Sequence, residues 1–539
     1  MVRRTAKIII QLLGGLGAGF AIVISLLAWQ LSKGPISLGF LTEYLERAVN
    51  SDHPNFSLRL GDAIFTWAGW QRALDIRVLD VTVLSADGSG IGSVPEVWFS
   101  ISGDALLHGK IAPRSIEFYG PRLSVRRESD GTIDVGFGRD GTKARAEMLA
   151  LGFLDRLMAE PSLNQPMSYL SRVAIIGGAV AIRDEVLKRT WNLPVADIRL
   201  DKIDEGLRGE VNLVLDQDGR TTELVGDGTY RYADRRVSLD FNFSGVEPAV
   251  FSRLTRDLAP LEALNMPLSG TLGVIFPIDG GIEQISARIN GKGGTLVLPV
   301  PYEQELAVVS TTLQAVFRAG SGIEVKNFDA VFAEGTKINL PDPIAHTEPL
   351  RRLSASGRFT NERVLIELTN VVADLGGPVV NLSVALKSDG DVAGPKRYRI
   401  LGKGDRIAMD ELPRYWPKSV GRDPRQWILK HFRGGHVEGL NFDMEIIAGT
   451  ATEISMISIE GDMKVLGTVV DHLPPIPPIQ DVSAQIRFDT KSLTVYSESG
   501  HSKGLELKSG RIVITGLDQV DQFADIDLKI KGSLRDKLA

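Results

Sequence analysis

The side chains most able to do chemistry are seven histidines, His53, His108, His346, His431, His436, His472 and His501, and they are scattered along the chain. A zinc hydrolase sets two histidines one helical turn apart beside a glutamate, and no His-Glu-x-x-His occurs. His431 and His436 lie close together in "HFRGGH", but Gly434 and Gly435 break any helix there, and with it the shared face a metal would need. "SDGTIDVGFGRDG" carries Asp130, Asp134 and Asp140 without the spacing or closing glutamate of a calcium loop, so these read as turn residues. No nucleophile elbow between strand and helix, no dinucleotide fingerprint and no Gly-x-x-x-x-Gly-Lys-Ser/Thr phosphate loop stands out. The expectation is a protein that is not an enzyme, uses no cofactor and no metal, and draws no energy from nucleotide hydrolysis.

Composition narrows the partners. A formal net charge of -6 over 539 residues argues against nucleic acid, because a phosphate-binding surface needs a concentrated excess of Lys and Arg. The chain has no cysteine, which removes disulfides and thiolate chemistry and fits an oxidising compartment.

The N-terminus carries the strongest local signal. "IIIQLLGGLGAGFAIVISLLAWQL", Ile8 to Leu31, is uncharged and long enough for a helix that crosses a bilayer. Arg3, Arg4 and Lys7 precede it and only Lys33 follows before Glu43, so the positive-inside rule puts the N-terminus in the cytoplasm and exports the remainder. A cleaved signal peptide is the competing reading, although the run is longer than an ordinary h-region. Gly15 and Gly19 form a small-xxx-small pair, and Trp29 falls where an interfacial aromatic would sit. "SLGFLTEYLERAVN" then reads as a short amphipathic helix close to the membrane.

Beyond it the hydrophobic period changes to two. "RRVSLDFNFSG" puts Val237, Leu239, Phe241 and Phe243 on one side of an extended chain and Ser238, Asp240, Asn242 and Ser244 on the other. "GEVNLVLDQDG" does the same with Val211, Leu213 and Leu215, and like segments recur almost to Ala539. Helical patterns are few, at "KARAEMLALGFLDRLMAE" and "PAVFSRLTRDLAPLEAL", and they cannot roof so many strands. The apolar faces therefore meet each other in sandwiches, close into a barrel, or line an open trough covered by lipid acyl chains. The long N-terminal span disfavours an outer-membrane barrel.

Three blocks resemble a known family. "VPEVWFSISGDALLHGKIAPRSIEFYGPRLSVRRESDGTIDVGF" is similar to the N-terminal signature of the AsmA-like family through Leu106, Leu107, Gly109, Gly120, Pro121, Leu123, Asp130 and Gly131. "DELPRYWPKSVGRDPRQWILKHFRGGHVEGLNFDMEI" resembles the middle region of its YhdP-like branch through Tyr415, Trp416, Pro417, Arg425, Trp427 and Gly435. "LPPIPPIQDVSAQIRFDTKSLTVYSESG" is similar to the branch's proline step followed by paired strands.

The resemblance implies a mainly β protein: an N-terminal transmembrane helix, then a long twisted antiparallel sheet curled into an open hydrophobic groove, with a few short helices. It implies single-pass anchoring in the inner membrane of a Gram-negative envelope, the bulk in the periplasm, and a groove that conducts phospholipid toward the outer membrane and a distal partner there. Residues 1–33 then form the tip and span, 34–160 the start of the groove, 161–410 groove repeats, and 411–539 the YhdP-like region. Relatives of this branch are longer, so the chain reads as the N-terminal part of a longer protein. The expected floor is Val211, Leu213, Leu215, Val237, Leu239, Phe241 and Phe243. Trp416 and Trp427 are expected either at headgroups or a partner, or as an aromatic plug at the end of a groove segment. About 30 strands at ~4.8 Å would span roughly 150 Å. The alternative is a periplasmic scaffold that assists outer-membrane protein assembly through a sheet edge.

Overall fold

The structure, a computed structural model, describes residues 56–66, 75–85, 90–110, 112–127, 133–137, 157–158, 166–185, 189–217, 220–250, 252, 256–298, 304–340, 346–360, 365–387, 396–416, 422–448, 454–471 and 477–533. Before residue 50 it describes 19, 25, 29, 36–37, 39, 42–43 and 46. These residues form 31 strands and few short helices, so the protein is mainly β. The apolar run from Ile8 to Leu31 lies outside the described residues except for Gly19, Ser25 and Trp29, each helical. Among the described residues no helix is long and apolar enough to cross a membrane. The chain divides into two compact units, one comprising Met1–Gly245 with Gly273–Ile282, the other Val246–Leu272 with Glu283–Ala539.

In the first unit the ladder runs, neighbour by neighbour, through Asp62–Thr66, Asp75–Ser85, Gly90–Ile101, Pro113–Tyr119, Arg172–Asp184, Arg189–Ile203, Gly206–Gln217, Arg220–Arg231 and Arg236–Val246. The expectation of an antiparallel sheet needs one correction. Pro113–Tyr119 and Arg122–Arg127 both pair parallel to Arg172–Asp184, one after the other along its length, which makes the sheet mixed. "IEFYGPRLSVRR" turns a corner at Gly120, whose φ of +64° suits glycine, and Pro121 has no N–H to give a ladder. The two halves thus stay alongside one long strand instead of folding back as a hairpin. Parallel pairing needs a long crossover, and more than 40 residues separate Arg127 from Arg172.

In the second unit the pairing is antiparallel from Gln284–Val297 through Glu305–Arg318, Gly322–Phe332, Arg352–Thr360, Leu365–Asp374, Val379–Lys387, Lys396–Ala408, His436–Ala448, Ile454–Val470, Ile479–Asp489, Ser492–Ser502, Leu505–Thr515 and Phe523–Lys531. A separate hairpin pairs Lys337–Leu340 with His346–Pro349. Of the expected helices, the one from Lys143 lies outside the described residues except Leu157 and Met158, and the described residues of Pro248–Leu264 include 3-10 turns at Pro248–Val250 and Arg256–Ala263. Helices Leu412–Tyr415 and Arg422–His431 stand where the YhdP-like resemblance begins.

Candidate functional site

Residues directly opposite each other in paired strands share a face, so the register shows which side chains form each surface. In the first unit four neighbouring strands give four cross-strand rows on one face. They are Lys202–Leu207–Tyr230–Val237, Leu200–Gly209–Gly228–Leu239, Ile198–Val211–Gly226–Phe241 and Ala196–Leu213–Leu224–Phe243. The third row continues across the sheet through Ile175, Phe118, Val97 and Val78 to Ala63 without meeting a polar side chain. The seven residues expected at the floor, Leu215 included, therefore stand on one face.

Burial along this face is uneven. Val78 and Val97 are 2 % exposed and form a closed core with Val81 and Val94. Leu157 and Leu170 cap one margin, where they cover Leu207, Tyr230 and Val173. Val211, Leu213, Leu215, Val237, Leu239, Phe241 and Phe243 are all only half-buried. Inward residues of a sandwich would be as buried as Val97.

The opposite face is polar and cross-linked. Arg77 lies 4.7 Å from the Trp98 ring, Trp98 Nε1 donates to Glu96 at 2.6 Å, and the Tyr119 hydroxyl donates to Glu117 at 2.9 Å. Arg172 pairs with Asp201 at 2.6 Å and Arg199 with Glu210 at 2.9 Å. Each strand thus separates an apolar surface from a charged one, as the alternation in sequence predicts.

Strand glycines shape the apolar surface, a role sequence reasoning missed because glycine was read as strand punctuation. A Cβ at Gly226 would come within 2.4 Å of Phe241 Cδ1, and one at Gly228 within 2.5 Å of Leu239 Cδ2. Phe241 and Leu239 therefore lie down across the neighbouring strand. The second unit repeats the device, with Phe442 over Gly402 and Phe488 over Gly461. The "GDG" of residues 226–228 and the "GKG" of 402–404, glycines two apart inside an alternating run, are the signal that marks it. A valine at Gly226 has to lift Phe241 off the sheet. Gly226→Val is expected to lower stability by about 1–3 kcal/mol in chemical denaturation, with Gly228→Ala at the low end.

The second unit has matching rows. Ala287, Ala315, Val325, Gly357 and Leu368 stand opposite one another in turn, as do Ile400, Met444 and Ile459 further on, and all are half-buried. Toward the C-terminus the face is covered. Leu412 and Ile428 from the two helices join Ile407, Val437, Met463, Val465, Ile486 and Leu493 in the largest described core. Arg425 fastens the two helices, donating to the carbonyls of Trp416 and Pro413 at 2.9 Å each.

Trp416 and Trp427 pack against this core, and the Trp427 ring centre lies 5.5 Å from those of both His431 and Phe432. Trp29 is 56 % exposed. A concavity of about 840 Å³ is lined in part by two cross-strand rows of the polar face, Asn381–Lys403–Asn441–Asp462–Arg487–Thr494 and Leu401–Asp443–Glu460–Asp489. Beside it, Arg399 hydrogen-bonds Asp443 and holds that carboxyl below the usual carboxylate range.

The histidines engage separate partners: His431 Nδ1 donates to the Asp471 carbonyl at 2.5 Å, whereas His436 faces Arg406 at 3.2 Å. Among the described residues no three His, Asp or Glu side chains are spaced to hold a metal ion. Asp130 and Asp140 lie outside the described residues. The string "GHSKG", residues 500–504, does have the Gly-x-Ser-x-Gly spacing of a hydrolase nucleophile. It forms the turn between Ser492–Ser502 and Leu505–Thr515, and the Ser502 hydroxyl donates to the Pro477 carbonyl at 3.3 Å. A hairpin turn lacks the helix N-terminus that completes such an elbow. Comparison of the chain with protein-family models, curated proteins and solved structures returns no match.

Proposed function

We propose that this protein, held in an inner membrane by its N-terminal apolar run, conducts phospholipids through the periplasm along an apolar β-groove toward the outer membrane. The carrying observation is a set of cross-strand rows, apolar except for Lys202, in which Val211, Leu213, Leu224, Val237, Leu239, Phe241 and Phe243 stay half-buried, while on the other face Arg172 pairs with Asp201 and Arg199 with Glu210. Pulling a phospholipid into water exposes two acyl chains at about 0.8 kcal/mol per methylene, a penalty on the order of 20 kcal/mol. A continuous apolar floor removes most of that barrier while the headgroup stays wet. Rows of similar Leu, Val, Ile and Phe give no single deep trap, so a lipid can move along them. The resemblance to the AsmA-like family supports the same reading and supplies the envelope setting and the distal partner.

The assembly-scaffold alternative draws on the strand Phe523–Lys531, which leaves all but one of its residues exposed. Under that reading an edge-blocking substitution abolishes function and the floor is indifferent to charge.

Photo-crosslinking residues placed singly from Val237 to Phe243 test the conduit. Positions 237, 239, 241 and 243 are expected to capture phospholipid in cells, and 238, 240 and 242 are not. Equal labelling of both sets would sink the groove.

A further inference from the structure

In the sixteen-position grid formed by four rows and four strands of the first unit, one side chain carries a charge. Lys202 stands opposite Leu207 and, along its own strand, two residues from Leu200, so both its cross-strand partner and its same-face neighbour are apolar. Two cations on this and the adjoining strand behave differently: Arg199 and Arg172 stand on the other face and are paired with Glu210 and Asp201. Lys202 has no such counter-charge. Its backbone N–H donates to the Ser171 carbonyl at 2.8 Å, and its side chain is half-buried opposite Leu207, which packs with Leu157 and Leu170. Burial lowers the Lys202 pKa, with no opposing carboxylate to raise it. A half-buried lysine with no carboxylate beside it is a cost that the packing of its apolar neighbours does not offset.

The geometry points to Lys202 as the headgroup contact of the groove, an ammonium that receives the phosphate of a glycerophospholipid whose acyl chains lie along the rows from Leu239 to Phe243. This rests on the conduit reading and adds the orientation of the cargo. From the Val237 row to the Phe243 row is six residues, or about 20 Å at ~3.4 Å per residue. One leaflet of a bilayer offers roughly 15 Å of hydrocarbon, half of the ~30 Å core. The apolar rows are therefore long enough for the tails of a lipid whose phosphate rests at Lys202. With its stem laid along the apolar rows, as amphipathic side chains lie, the ammonium would reach the margin. A charge-assisted contact of this kind discriminates phosphate-bearing from phosphate-free lipid by roughly tenfold.

The test uses the full chain in detergent, equilibrated with phosphatidylcholine vesicles doped with equal amounts of labelled phosphatidylglycerol and diacylglycerol, lipids with similar tails and with or without phosphate. The wild type is expected to retain phosphatidylglycerol about tenfold over diacylglycerol. Lys202→Met brings that ratio near one without reducing diacylglycerol retention, and Lys202→Arg keeps it. Because Lys202→Met removes an uncompensated charge, its Tm is expected to match or exceed that of the wild type, so a folding defect is separable. A Lys202→Met chain that keeps the full preference overturns the assignment. So does a wild-type chain that shows no preference for phosphatidylglycerol but binds inorganic phosphate, with that binding abolished by Lys202→Met, which would make the site one for a free anion. Retention of neither lipid by the wild type refutes the conduit itself, whereas retention of both without preference refutes only the role of Lys202.

Discussion

A Phe241→Glu chain is expected to lose at least nine-tenths of its lipid capture while it remains folded. Phe241 is half-buried, lies across its cross-strand partner Gly226 and shares the apolar face with Val211 and Leu224. In the empty groove a glutamate there keeps its carboxylate in water, and the stability cost is mainly the lost packing of the ring, about 1–2 kcal/mol. Once acyl chains cover the face, the carboxylate must be desolvated or protonated. Either costs several kcal/mol, enough for a tenfold or larger loss of binding. The readout is phospholipid phosphorus per mole of purified chain, with thermal unfolding measured on the same sample. Normal capture with the charge in place would reject the conduit.

The same chemistry at Val465 is expected to give the opposite result. Val465 is 1 % exposed, stands opposite Val437 and Ala484, and lies in the core that Leu412 and Ile428 close from above. No solvated position is open to an aspartate there, so Val465→Asp carries the full penalty of burying an unpaired charge and is expected to lose more than about 4 kcal/mol. Val465→Ala, which only empties part of the site, is expected to cost about 1–3 kcal/mol. Hydrogen exchange should show amides of the strands His436–Ala448 and Ile454–Val470 losing protection first. The contrast between positions 241 and 465 is the sharpest measure of where this β surface is covered by protein. If Phe241→Glu unfolds its unit as Val465→Asp does, the first face is closed in solution and no room is left for lipid.

The glycines sharpen the same contrast. Phe241 and Leu239 lie over Gly226 and Gly228, which keeps the apolar layer low against the sheet. Side chains standing upright would interdigitate with a partner sheet, as in a sandwich. The exposed strand Phe523–Lys531 is a different surface, with Phe523 and Ile526 in the open.

Much of this architecture was readable before any coordinates. Alternation over Val237 to Phe243 and over Val211 to Leu215 assigned each residue to a side, because a strand's period of two is fixed by backbone geometry and tolerates no drift. That regularity also made the β class plain. Pairing and cover are non-local, and they came only with the tertiary structure. Nothing near Ile116 or Leu123 indicates that both halves of "IEFYGPRLSVRR" run parallel to a strand beginning at Arg172. Nothing in "YLSRVAIIGG" shows that Leu170 caps the margin where Lys202 stands, since Lys202 in "RLDKID" looks like any solvated lysine. The glycines of "GDG" are ambiguous for the same reason: whether an absent Cβ marks a turn or a seat for a neighbouring ring depends on which strand lies alongside. Local sequence sets the chemistry of each side of a ribbon. Contacts between segments far apart in the chain decide whether that side is roofed by protein or left open.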